Sequence, residues 1–245
     1  SGGYKNPAYW DFPTKINGNK YSFKEGMKLF TDNYGKPGPK SWSYGEFPEG
    51  EEQLPVNGIS WYEARAYAKY RDLDIPNIYQ WLDAALLSGF TFKLPELKNS
   101  NYNSKKLKNV NFQTENLSLL PNIAGNVREW IINPHGKDRR SILGGAFNTN
   151  QYTFNSFYSL SPLDRSIQNG FRLVKNFSDK IEDNEDFNVR HIERNFDDEI
   201  NVSDEVFEVY KSQFDYPNTT LKVKTSELKS PNPNYSIERF EMDPP

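Results

Sequence analysis

Two stretches of the chain repeat apolar residues at helical spacing behind a start signal. In ISWYEARAYAKYRD, Ser60 stands three residues before Glu63, the spacing at which a hydroxyl and a carboxylate cap each other's backbone N–H groups. Ala64, Tyr67 and Ala68 then fall at i, i+3 and i+4, which predicts one buried helical stripe. In IPNIYQWLDAALLSG, Asn77 and Gln80 hold the same relation. Trp81, Ala84, Ala85 and Leu86 are the expected buried face there, and Gly89 the stop. Both helices read as structural.

Elsewhere the pattern is shorter or absent. TDNYGKPGPKSWSYGEFPEG interleaves aromatics with Gly and Pro, which deny both helix and central strand, so a long ordered loop is expected. Residues 90–119 are polar, rich in Asn and Lys, and without period. Short strands are expected at EWII, RSILGGAF and NGFRLVK, and the Gly144–Gly145 pair suggests a bulge or a close backbone approach. Further on, SDEVFEVYKSQF places Val206, Val209, Tyr210 and Phe214 on one helical face. TLKVKTSEL alternates Leu221 and Val223 with lysines as a half-exposed strand does, and YSIERFEM suggests another strand.

Composition narrows the picture. The 245 residues are only 36% hydrophobic but 15% aromatic, so the core must rest on large rings. No run reaches the roughly eighteen apolar residues of a membrane span, and SGGYKNPAYW lacks the charged start and apolar stretch of a secretion signal. A soluble segment without membrane contact is the expectation. Net charge is −3, but residues 178–208 alone carry −9, which leaves +6 on the remainder. The acidic block reads as a solvated linker, and the unclustered basic remainder gives no reason to expect nucleic acid.

Cysteine is absent. Disulfides, zinc–thiolate sites, iron–sulfur clusters and thiol nucleophiles are thereby excluded. His135 and His191 are the only imidazoles, and two surface histidines are the expectation. The densest cluster of functional residue types is LPNIAGNVREW, where Asn126 and Glu129 follow a Pro and a Gly. Such oxygen donors serve either a hard cation or the hydrogen bonds of a turn.

Five ordered stretches together resemble the formylglycine-generating enzyme, or sulfatase-modifying factor, family: LPVNGISWYEA, IPNIYQWLDAA, PNIAGNVREW, LGGAF and NGFRLV. The resemblance implies an α+β, C-type-lectin-like fold, rich in loops. It places a family domain over residues 1–175, an acidic linker over 176–202, and over 203–245 a helix-and-strand extension similar to the lead-in to an α/β-hydrolase-like domain. GYKNPAYW through GKPGP looks like a subgroup fused to bacterial protein kinases, so kinase-like and hydrolase-like neighbours in the parent chain are expected. The family's opening strand is not apparent, and no G-x-S-x-G nucleophile elbow occurs.

The family's oxidase chemistry uses copper held by two cysteines near FNTNQYTFNSFYSLSPLDRSIQNGFR, a stretch without any here. No copper is expected, because soft cuprous ion requires thiolate. The iron-dependent sulfoxide synthases of the family draw histidines from a motif that contains neither His135 nor His191. By resemblance, calcium would be held by Asn126, the Val127 carbonyl and Glu129, with Asn111 of NVNF in a second site. Against this, Asn122 replaces the usual Asp, and Asn126 with Glu129 would equally hydrogen-bond a turn. Asp164 and Arg165 lie in the stretch facing the family's groove, as ligand contacts or as a surface ion pair. Arg172 joins them as a candidate, or else ties loop carbonyls together.

The expected function is a catalytically degenerate domain that acts as a ligand- or peptide-binding, or sensory, module of a bacterial multidomain protein. Two alternatives stand beside it. One is a metal-dependent oxidoreductase completed by another domain; the other is a spacer between kinase and hydrolase domains.

Overall fold

The computed structural model describes the chain except residues 1, 13–14, 17–18, 90–94, 96–99, 113–119, 137, 178–196, 198, 216–222, 232 and 243–245. Leu221, His191 and most of the expected acidic linker lie outside the described residues. The chain divides into two units, Ser1–His191 and Ile192–Pro245.

In the first unit, short strands β1 (Lys15–Ile16) and β2 (Asn19–Lys20) pair antiparallel and lead to helix α1 (Phe23–Gly26). Helices α2 (Trp61–Tyr70) and α3 (Ile78–Leu87) start where the capping signals place them. Ser60 with Glu63, and Asn77 with Gln80, make both reciprocal bonds. Strands β3 (Arg128–Pro134), β4 (Arg140–Leu143), β5 (Tyr158–Leu160) and β6 (Asn169–Phe171) form a sheet in the order β5-β4-β3-β6. Its β3–β4 and β4–β5 pairs are antiparallel, whereas β6 runs parallel to β3, with Arg128 opposite Asn169 and Trp130 opposite Phe171. The α+β, loop-rich architecture expected from the sequence is the one observed.

Strand β3 is buried on both faces, and its alternation separates two cores. Ile131 packs with Leu143, Phe154 and α3 residues Ile78, Trp81 and Ala85. Trp130 and Ile132 pack with Ile142 and α2 residues Trp61, Ala64 and Ala68. Each helix therefore covers one face of the same strand. The indole N–H groups of Trp61 and Trp130 donate to the carbonyls of Ile131 and Ile59, at 2.9 and 3.0 Å, so neither ring buries an unpaired donor. A third cluster joins Trp10, Phe30 and Ala66 with partly buried rings from the N-terminal segment.

Two helical stripes differ from expectation. Tyr67 is 42% exposed and Leu86 54% exposed, although Ala64, Ala68, Trp81 and Ala85 are buried as expected. In α2 the inward positions include Glu63 and Ala66 instead, and Tyr67 lies at the edge beside Phe171. The long aromatic loop is ordered by Asp32, whose carboxylate accepts from the N–H groups of Tyr34, Lys36 and Gly45 at 2.6–2.9 Å. Gly144 and Gly145 both take positive φ, and a Cβ on Gly145 would sit 2.5 Å from Thr153 Oγ1. This is the close backbone approach suggested by the glycine pair.

The second unit contains helix α4 (Asp204–Ser212), capped by Ser203, and the antiparallel hairpin of β7 (Val223–Leu228) with β8 (Ile237–Met242). Val206, Val209, Tyr210 and Phe214 lie exposed along the helix segment. Among the described residues no helix is long and apolar enough to cross a membrane.

Candidate functional site

The GNVREW turn is built on two left-handed residues, Gly125 at φ +80 and Asn126 at φ +65. Asn tolerates this conformation because its side chain bonds nearby backbone. Here Asn126 is fully buried, and its Oδ1 accepts from Asn101 Nδ2 and from the Lys108 N–H, both at 2.9 Å. Its Nδ2 donates to the Lys108 carbonyl at 3.0 Å. Asn122 donates to the carbonyls of Asn109 and Val110 at 2.9 and 2.8 Å. These amides stitch residues 101–110 onto the turn.

Glu129 points from β3 to the α3 side. Its carboxylate accepts from Trp81 Nε1 at 2.8 Å and from Arg172 Nε and Nη2 at 3.1 and 2.9 Å. The guanidinium also reaches the Pro121 carbonyl at 3.1 Å. Glu129 lifts the Arg172 pKa above its ordinary value, against the opposing effect of burial. Arg172 thus ties a strand carboxylate to a loop carbonyl.

This donor set does not fit calcium. A cation at Asn126 Oδ1 would meet two N–H groups, and one at Glu129 would meet a guanidinium and an indole N–H. Asn101 Oδ1 is buried without a hydrogen-bond partner, but it is one oxygen where calcium takes about six to eight. Val127 is buried beneath Gly170, and Asn111 lies exposed in the neighbouring loop. Among the described residues no group of three or more His, Asp or Glu converges. His135, expected at the surface, is buried, with Nδ1 3.3 Å from Ser141 Oγ. Cuprous ion has no thiolate anywhere in the chain.

Asp164 and Arg165 are adjacent in sequence but serve separate networks. Asp164 Oδ1 accepts from the Ser166 N–H and from Asn169 Nδ2, at 3.0 and 2.6 Å. Burial works against its charge, yet these bonds and nearby Arg128 hold its carboxyl below the ordinary value. Arg165 turns inward instead. Its Nε and Nη2 grip Glu63 at 2.8 and 2.9 Å, while Nη1 and Nη2 reach the carbonyls of Leu29, Thr31 and Gly38. Tyr4 adds its hydroxyl to Glu63 Oε1 at 3.0 Å. Burial raises the Glu63 pKa, against the pull of Arg165 and the Ser60 hydrogen bonds. Of the two uses open to Arg165, ligand contact or surface ion pair, its pairing is a largely buried clamp on Glu63 and not a surface pair.

Above Glu63 opens a cavity of about 250 Å³, lined chiefly by Tyr4, Trp10, Trp42, Tyr67, Tyr70 and Phe171. Of these residues only Phe171, in NGFRLV, falls in a stretch singled out for chemistry. The other five leave one common trace in the sequence, the density of Tyr and Trp in the first seventy residues. The rings come from the N-terminal segment, the long loop, α2 and β6, so no local spacing announces the pocket.

Fold and site together define an α+β domain whose buried carboxylates are closed by guanidinium groups and which lacks thiols. The chain belongs to the family of sulfatase-modifying factor enzyme 1-like domains, whose model matches residues 17–177. Among solved structures it is similar to Treponema denticola variable protein 1, at 19% identity and TM-score 0.44, over 55% of this chain and 76% of that one. It is likewise similar to CarF, at 17% identity and TM-score 0.44, over 53% and 70% of the two chains. No curated protein matches it.

Proposed function

We propose that this domain binds a ligand and no longer oxidises one. The observation that carries the reading is the aromatic cavity over the Glu63–Arg165 pair, a concave apolar site of the kind that holds a ligand group. The family's copper chemistry has lost its thiolates, while the groups nearest the GNVREW turn and the groove are spent on internal hydrogen bonds. A scaffold whose Asn126, Glu129 and Glu63 side chains are taken up by internal bonds, with an open ring-lined pocket, is equipped to hold a partner in place. It is not equipped to pass electrons to oxygen.

The test is oxygen uptake by the purified chain, supplied with cuprous ion and a cysteine-containing peptide. Uptake no faster than in protein-free buffer is expected. Copper-dependent uptake above that level would overturn the reading.

A further inference from the structure

The same cavity narrows the class of ligand, and this inference rests on the binding reading above. Rings surrounding a pocket with a glutamate at its base allow two opposite occupants. A quaternary or methylated ammonium is held by ring faces and a carboxylate. A neutral aromatic group is held by offset and edge-to-face packing. The choice depends on whether the carboxylate and the ring faces are free.

They are not. Glu63 Oε1 accepts from Tyr4 and Arg165, and Oε2 accepts from the Ser60 N–H, the Ser60 hydroxyl and Arg165 Nε. Five donors on two oxygens leave no lone pair directed at a ligand. The pair's net charge is zero, and a cation entering the pocket would approach the Arg165 guanidinium. At the rim, Arg71 already lies over the Tyr67 ring, 5.8 Å from its centroid, and donates to the Tyr67 hydroxyl at 2.9 Å. The carboxylate is therefore closed to a cation by Arg165, and Tyr67, one of the six rings, already carries a cation on its face.

Size and rim decide the rest. A volume near 250 Å³ falls below the ~300 Å³ lower end of ordinary small-ligand sites and suits one ring system. Yet apolar surface continues past the mouth, where Val56, Tyr67 and Tyr70 are 40–46% exposed. An occupant that fills the cavity and also covers this rim must extend beyond its own ring. We infer that the pocket formed by Tyr4, Trp10, Trp42, Tyr67, Tyr70 and Phe171 receives one uncharged aromatic side chain of a peptide.

Ligand-observed NMR on the full chain tests this with four probes: blocked Gly-Trp-Gly, the same tripeptide with trimethyl-lysine, the same with Ala, and free indole. The Trp peptide should bind at least about tenfold more tightly than each of the other three. Tyr67→Ala and Tyr70→Ala, both at the exposed rim, should each weaken it several-fold while thermal melts stay cooperative. Tighter binding of the trimethyl-lysine peptide would overturn the neutral-ring assignment and leave the binding reading standing. Indole equal to the Trp peptide would overturn the peptide assignment. Saturation by no probe, or unchanged affinity in both variants, would overturn the pocket as the site. None of these results bears on oxygen uptake, so the two proposals fail separately.

Discussion

Arg165 grips Glu63 across 102 residues of sequence, joining the loop before β6 to the first turn of α2. The carboxylate that caps the helix is also the anchor of a guanidinium whose other donors hold three loop carbonyls. Removing one partner of a buried pair leaves the other charge uncompensated, at a cost of about 3–5 kcal/mol. Glu63→Gln should therefore lower unfolding free energy in urea by about that amount. Arg165→Met should additionally loosen residues 29–38 in hydrogen exchange. A loss below about 1 kcal/mol for Glu63→Gln would place the pair among weak surface ion pairs.

Trp81 supplies Glu129 with a donor that no other side chain on α3 gives it. Trp81→Phe keeps most of the ring in the core but leaves the carboxylate one partner short. The expected loss is about 1–3 kcal/mol, read from chemical denaturation. Stability equal to wild type would show that the indole contributes volume alone.

Acid should act on the fold with two opposite signs. In Asp32, burial raises the pKa but the backbone N–H groups of Lys36, Gly45 and Tyr34 outweigh it, so the carboxyl sits below its ordinary 3.8. Asp164 is likewise lowered from 3.8. For both, the folded state holds its proton less tightly than the unfolded one. Their stabilisation is complete above 3.8 and is lost as pH falls through the depressed values. Glu63 is raised from 4.5, so it opposes them, and its contribution declines as pH climbs upward from 4.5. Melting temperature measured against pH should fall steeply on the acid side. Asp32→Asn should start lower at neutral pH and show a shallower acid limb; an unchanged limb would remove Asp32 from the account.

Calcium should leave the melting temperature where it is, and so should a chelator. Asn126 and Glu129 spend their oxygens on N–H donors, so an ion would have to break bonds before making any. A rise of several degrees in millimolar calcium would show the loop of Asn101 and Lys108 releasing the turn, since a ligand of the native state stabilises it by mass action.

How much of this was legible in the sequence varies with distance along the chain. The caps of α2 and α3 were readable because both partners lie three residues apart. The buried strand EWII was readable from its apolar run, and the Gly144–Gly145 approach from the doublet itself. Glu63 was readable as a cap but not as the base of a pocket, because Arg165 and Tyr4 reach it from 102 and 59 residues away. The sequence shows Asn126 and Glu129 as oxygen donors for either an ion or a turn. Which use prevails is set by Asn101, Lys108, Trp81 and Arg172, whose approach depends on the tertiary fold. Periodicity alone predicts Tyr67 in the core, whereas Glu63 and Ala66 hold inward positions of α2 and Tyr67 is 42% exposed.

The parallel pairing of β6 with β3 governs how the chain can be made. Strand β3 gains its second neighbour only when Asn169–Phe171 has been synthesised, and Val174 then closes on Asp74. Ten-residue helices such as α2 and α3 are marginal by themselves. At about 5–20 residues per second, the stretch from Trp130 to Phe171 takes roughly two to eight seconds to be made, with Trp130 short of one neighbour meanwhile. The central strand of the sheet is thus completed late in synthesis, because its parallel neighbour is the last strand of that sheet to be made.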